Sequence, residues 1–253
     1  MNMSVSVIVA LIAAGAALLT SIVSLVSQRR VTTLQNELTL YRDRENRAIE
    51  LDQVMARYRQ PLLQSATDLQ SRLYNIVRGN LLQIYGRGTT TEQTYTVENT
   101  LFVFGEYFGW VEALRREVQF LDSGNEERNR QVQSCLESIA SAFLRDDLEN
   151  EFRLFRGEQR AIGEVMLVAR NGNEKLECVG FAAFTKRLAE PDVARWFAKL
   201  REDLNRLCER STVSSNRIAL IQGSLIDLLD CLDPNSIRVP NRRKRLSTTL
   251  EKN

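Results

Sequence analysis

Three sets of side chains in this sequence have the types and spacing to do chemistry. Arg153, Arg156 and Arg160 fall at i, i+3 and i+7. On one helix they form a comb that can hold an anion through charge-assisted hydrogen bonds. Phe102, Phe104, Tyr107, Phe108 and Trp110 crowd together, with Gly105 and Gly109 four apart among them. Such a strip can line a ligand pocket or a partner groove, and its glycines leave room for a neighbouring backbone. Asp227, Asp230 and Asp233 sit three apart near the end of a helix, where the dipole disfavours carboxylates and cations are wanted nearby. Each set also has a plain structural role. The comb can be a solvated face laced by Glu149–Arg153 and Arg160–Glu164 pairs, and the aromatic strip can be the centre of a helical core. Three carboxylates alone do not specify a metal.

Other chemistries are missing. There is no histidine among 253 residues. That removes Ser-His-Asp triads, Cys-His dyads, histidine-ligated zinc or haem, and a histidine pH switch. Gly86-x-Gly88 opens like a phosphate loop, but no Gly-Lys-Ser/Thr follows and the third glycine of a dinucleotide fingerprint is lacking. No Gly-x-Ser-x-Gly elbow and no calcium loop occurs. Cys135, Cys178, Cys208 and Cys231 include no CxxC pair. They read as buried thiols in a reducing compartment, not as a disulfide framework. No catalytic residue, cofactor or metal ligand is therefore expected, and the balance leans away from an enzyme. With 34 basic and 32 acidic residues the chain carries +2, which argues against a nucleic-acid partner.

The elements that must carry these residues begin with an anchor. Met1–Gln28 has no charge. Val5–Val26 at about 1.5 Å per residue spans roughly 33 Å, matching a hydrocarbon core of about 30 Å. A cleaved signal peptide competes, but it wants a basic n-region and a shorter apolar run. Residues 1–28 are thus expected to be a retained transmembrane helix. Arg29 and Arg30 follow at once, then Arg42, Arg44 and Arg47. The positive-inside rule places the C-terminal side in the cytoplasm of a single-pass cell-membrane protein. Ala10, Ala14, Ala17 and Ser21 offer small residues for helix pairing.

Residues 29–60 read as a helical stalk. Val31, Leu34, Leu38 and Tyr41 make one short seam; Leu51, Val54, Met55 and Tyr58 resume it in a shifted register. A coiled coil is conceivable, but two short seams fall below three or four sustained heptads. Pro61 should end or kink the stalk. Residues 61–237 then form an all-α, bundle-like domain of six or seven helices. Apolar faces recur from Leu62 to Val77, Leu101 to Leu121, Val132 to Phe143, Leu148 to Met166, Val193 to Leu207 and Ile218 to Leu232. Asp146 or Asp147 is the expected cap of the fourth of these faces, after a turn at Asp122–Asn125, and Arg170–Asn173 is the next turn. Pro191 opens the fifth, whose other side pairs Lys199 with Asp203 and Glu202 with Arg206. The last helix ends before Pro234. The run 176–184 fits a strand, a buried loop or a helix turn. Residues 238–253 form a polybasic tail with a net charge of +5 on a −3 remainder. Arg242, Arg243, Lys244 and Arg245 suit anionic lipid or the chain's own Asp227, Asp230 and Asp233.

Tyr107-Phe108-Gly109-Trp110-Val111-Glu112 and Phe155-Arg156-Gly157-Glu158-Gln159-Arg160 resemble stretches of an actinobacterial family of single-span, membrane-anchored helical proteins. The resemblance implies a bacterial source and no activity or catalytic residues. The function expected from the residues is a membrane-anchored cytoplasmic interaction or scaffold module. It would act on the bilayer and on a protein partner or a second copy. The alternative is a tethered ligand sensor or enzyme. Its pocket would draw on Phe104, Tyr107, Phe108 and Trp110 and on Arg153, Arg156 and Arg160.

Overall fold

The computed structural model describes residues 3–119, 127–169, 176–240 and 243–247. The elements run α1 (Met3–Arg78), α2 (Leu81–Ile84), α3 (Thr90–Gln119), α4 (Glu127–Leu144), α5 (Arg156–Met166), β1 (Leu167–Ala169), β2 (Leu176–Cys178), α6 (Phe181–Arg187), α7 (Pro191–Glu209) and α8 (Asn216–Leu232). Among the described residues the chain is all-α but for one two-stranded hairpin. It divides into two units, Met1–Glu50 and Leu51–Asn253.

The first unit is helix throughout its described length. Ile8–Arg47 includes a window of mean hydropathy 2.4, and none of that window is buried. One N-terminal helix is therefore long and apolar enough to cross a membrane. Its hydroxyls are satisfied locally: Ser21 donates to the Ala17 carbonyl at 2.9 Å, and Thr20 to that of Ala16. In lipid such groups have no water to turn to.

The second unit begins at Leu51, so the shifted seam of Val54, Met55 and Tyr58 belongs to its core. Of the two outcomes expected at Pro61, an end or a kink, the helix does not end there; α1 runs through it. One missing N–H is outweighed by burial of Tyr58, Leu62 and Leu63 on either side. The stripe continues with Ala66, Leu69, Leu73 and Ile76, all fully buried. α3 packs closely on α5 because Gly163 on α5 has no side chain. A Cβ there would lie 2.6 Å from the Phe108 carbonyl oxygen. The strip at Gly105 and Gly109, expected to meet a neighbouring backbone, instead receives side chains, those of Met166, Phe197 and Cys178.

The connection between α4 and α5 departs from the sequence reading. The helix expected from Asp146 or Asp147 starts only at Arg156. Asp147 pairs with Arg145 rather than capping. Leu154 donates its N–H to the Phe143 carbonyl at 3.1 Å, and Phe152 turns to φ 57° with its ring in the core. Asp203, fully buried, accepts the Phe152 N–H at 2.8 Å and fixes that turn. Arg217, also fully buried, reaches across from α8 to the carbonyls of Ala142, Phe143, Arg145 and Glu149. A guanidinium at the C-terminal end of α4 satisfies carbonyls that a continuing helix would have used. The backbone is thereby held open at 145–155.

The run 176–184 consists of β2 followed by α6. β2 pairs antiparallel with β1, Leu167 opposite Cys178 and Ala169 opposite Leu176. The turns expected at 122–125 and 170–173 lie outside the described residues. The Gly86-x-Gly88 loop is a helix connection. Thr89 donates to Glu92 at the start of α3, and Arg87 donates to the Arg210 carbonyl at 2.9 Å beyond α7.

Candidate functional site

A cleft of about 610 Å³ opens between α3, α4 and α5. Tyr107, Phe108 and Val111 on α3 and Leu136, Ile139 and Ala140 on α4 give it an apolar lining. Charge surrounds that lining: Glu112 and Arg115 on α3, Glu137 on α4, and Arg156 and Arg160 on α5. The two segments expected to build a pocket therefore do meet, but each supplies only part of itself.

From the aromatic strip, Tyr107 and Phe108 line the cleft. Phe104, one turn away along α3, packs into the core, its ring centroid 5.0 Å from that of Phe152 and 6.1 Å from that of Phe143. Trp110 packs on Tyr58 of α1 at 6.2 Å. Helical geometry sets Trp110 apart: 104, 107, 108 and 111 fall within an arc of about 100°, while 110 lies roughly a third of a turn from 104. Tyr107 is 2% exposed, and its hydroxyl has no hydrogen-bond partner among the described residues. Burial pushes its pKa well above the ordinary tyrosine value. It is a neutral donor at any ordinary pH.

From the arginine comb, Arg156 and Arg160 line the cleft and Arg153 does not. The comb required one helix from 153 to 160, and α5 begins at Arg156. Arg153 instead sits over the Phe155 ring at 5.3 Å. Arg156 donates to Glu137 at 3.0 Å and to the Ser141 hydroxyl at 3.1 Å, tying α5 to α4. Arg160 is exposed and has no ion-pair partner among the described residues. The expected Glu149–Arg153 and Arg160–Glu164 pairs are absent among the described residues. Glu149 accepts the backbone N–H groups of Asn216 and Arg217 at 3.0 and 3.1 Å, capping α8. Glu164 lies 3.5 Å from Arg116.

Glu112 is the most buried of the charged cleft residues that the sequence reading does not pick out. It is 2% exposed and accepts from Arg115 and Arg116, each at 2.7 Å through Nε. Burial pushes its carboxyl up, but the hydrogen bonds of the two arginines outweigh that, and the net shift is downward. The available signal is the Glu-x-x-Arg-Arg spacing, i+3 and i+4 from one carboxylate. The cleft thus holds a neutral phenol donor, the Arg160 guanidinium and paired charges over an apolar lining. Among the described residues, no nucleophile stands beside a base within it.

The C-terminal run lies elsewhere. Arg242 is outside the described residues. Arg243 pairs with Asp230 and Asp233, and Arg245 with Asp227 at 2.7 Å. The buried Gln222 side chain clamps the backbone between them: it donates to the Lys244 carbonyl at 2.8 Å and accepts the Leu246 N–H at 3.1 Å. Leu246 is buried, and the Lys244 side chain is exposed. Arg243 and Arg245 thus contact the three aspartates expected for this run.

No protein-family model, no curated protein and no solved structure matches this chain.

Proposed function

We propose that this is a single-span membrane protein whose helical unit works as a cytoplasmic binding or scaffold module rather than as an enzyme. Its partner is a protein or a second copy of the chain. The observation that carries the reading is the exposed apolar stretch of α1. Ile12, Leu18, Leu19, Ile22 and Val23 are each more than half exposed, which water penalises and a bilayer rewards. The basic residues that follow support a cytoplasmic C-terminal side. Alkaline carbonate extraction should leave the full chain with membranes, and its release would overturn the reading. Protease added outside spheroplasts should spare the helical unit; cleavage there reverses the sidedness.

A second reading rests on the cleft. Its apolar lining, the Arg160 guanidinium and the Tyr107 hydroxyl suit a ligand with an acidic head and an apolar body. The protein would then be a tethered ligand sensor. Native mass spectrometry of the detergent-purified chain tests this. An anionic amphiphile that leaves with the Arg156→Glu/Arg160→Glu pair supports it. An empty cleft in every preparation leaves the scaffold reading alone.

A further inference from the structure

Cys135 on α4 and Cys231 on α8 stand 96 positions apart in sequence, yet their sulfurs are 3.2 Å apart. A disulfide has its sulfurs about 2.05 Å apart, so an approach of roughly 1.2 Å would join them. Small side-chain rotations on two packed helices can supply that. The other two thiols are placed differently. Cys178 faces the Glu106 carbonyl oxygen at 3.8 Å, and Cys208 lies beneath Gly86. We propose that Cys135 and Cys231 form an intramolecular cross-link site, a dithiol that a peroxide oxidises to a disulfide joining α4 to α8. This inference does not depend on the function proposed above.

Burial, the Cys231 contact and the carboxylates of Asp227 and Asp230 push the Cys135 thiol up to about 12. One sulfur of the pair attacks the peroxide. That sulfur loses its proton and displaces hydroxide as the O–O bond breaks; the hydroxide takes that proton and leaves as water. The attacking cysteine is now a sulfenic acid. The second thiol attacks its sulfur, the second thiol's proton passes to the departing oxygen, the S–O bond breaks, and a second water leaves. Two thiols have been oxidised and one peroxide reduced to two waters.

The link bears on the cleft. Cys135 stands next to Leu136, which lines it, and Gln133 and Ala140 of the same helix line it too. Fastening α4 to α8 fixes that wall. Arg243 and Arg245 neutralise Asp230 and Asp227 beside the pair, so the docked tail and the thiols share one neighbourhood.

The test uses the full chain in detergent. It is treated with hydrogen peroxide, and in parallel with diamide, then alkylated and digested. Two of four thiols should be lost, with one tryptic cross-link between the peptides holding Cys135 and Cys231, reversed by dithiothreitol. The Cys178→Ser/Cys208→Ser double variant should behave as the parent does. Cys135→Ser and Cys231→Ser should each lose the intramolecular link. The oxidised parent should also melt above either single variant treated in the same way. A link to Cys178 or Cys208, a link between chains only, or survival of all four thiols under both oxidants would overturn the proposal.

Discussion

Two stretches of α1 meet opposite demands. Over Ile8–Arg47 the described side chains are exposed on every side, and the apolar window is unbroken. From Tyr58 to Ile76 the apolar stripe is buried, while Gln64 and Asn75 stay exposed. The backbone conformation is the same. A helix that is apolar all round asks for an apolar solvent; one that is apolar over part of its surface asks for partner helices. Hydroxyls bond back to their own helix in both stretches, Ser21 to Ala17 in the first and Thr67 to Leu63 in the second, but in the second Gln70 also accepts from Gln222 of another helix at 3.2 Å.

The comparison breaks most sharply by charge. Leu18→Arg should abolish membrane retention while leaving the helical unit folded, since a charge at the centre of a span costs about 2.5–3.5 kcal/mol. Sedimentation with membranes and circular dichroism read the two halves. Retention of the variant would mean the stretch is not a span. In the second unit, Arg217→Met leaves four carbonyls without their donor. Unfolding in urea should show a loss of about 3–5 kcal/mol, given roughly 1–3 kcal/mol for each buried group left unpaired and partial rescue by water. Leu69→Ala should cost about 2–5 kcal/mol there, whereas Leu19→Ala should leave the stability of the helical unit unchanged.

Acid sharpens the contrast further. Glu112 and Glu149 have carboxyls held below their ordinary value, Glu112 against burial by Arg115 and Arg116, Glu149 against burial by backbone N–H groups of α8. Their folded pKa values lie below the unfolded ones. Their contribution is therefore full above the unfolded glutamate value, about 4.3, and is lost as pH falls through the folded values. Melting temperature should drop steeply below about pH 4, and less steeply in Glu112→Gln, which starts lower. The smallest effect belongs to the tail. Arg245→Ala removes an exposed pair with Asp227, and should cost at most about 1 kcal/mol. If the same variant loses binding to acidic vesicles and not to neutral ones, the run serves lipid as well as the α8 stripe.

Much of the fold is legible in the sequence because it is local. The 3.6-residue repeat marks α3, α7 and α8, Pro191 opens α7, and Pro234 follows the end of α8. The Lys199–Asp203 and Glu202–Arg206 pairs expected on α7 are present, since i+4 neighbours meet on any helix. The site is half legible for the same reason. Tyr107 and Phe108 share a helical side with Val111, so their joint place on one wall follows from spacing alone.

Contacts across 50 to 100 residues are what the sequence leaves open. Arg217 is one more arginine near a helix start until Ala142 and Phe143 are seen to receive it. It holds 145–155 open, so α5 begins at Arg156 and Arg153 drops out of the comb. Spacing pairs Asp203 with Lys199, but its hold on the Phe152 turn requires α7 to lie against 150–155. Cys135 and Cys231 each look like a small buried hydrophobe, and only the packing of α4 on α8 brings them together. Composition and periodicity determined the apolar stretch, the helical class and most helix faces, because each depends on neighbours a few residues away. The tertiary structure decided which carbonyls, carboxylates and thiols share a space, because those partners are chosen by packing and not by spacing.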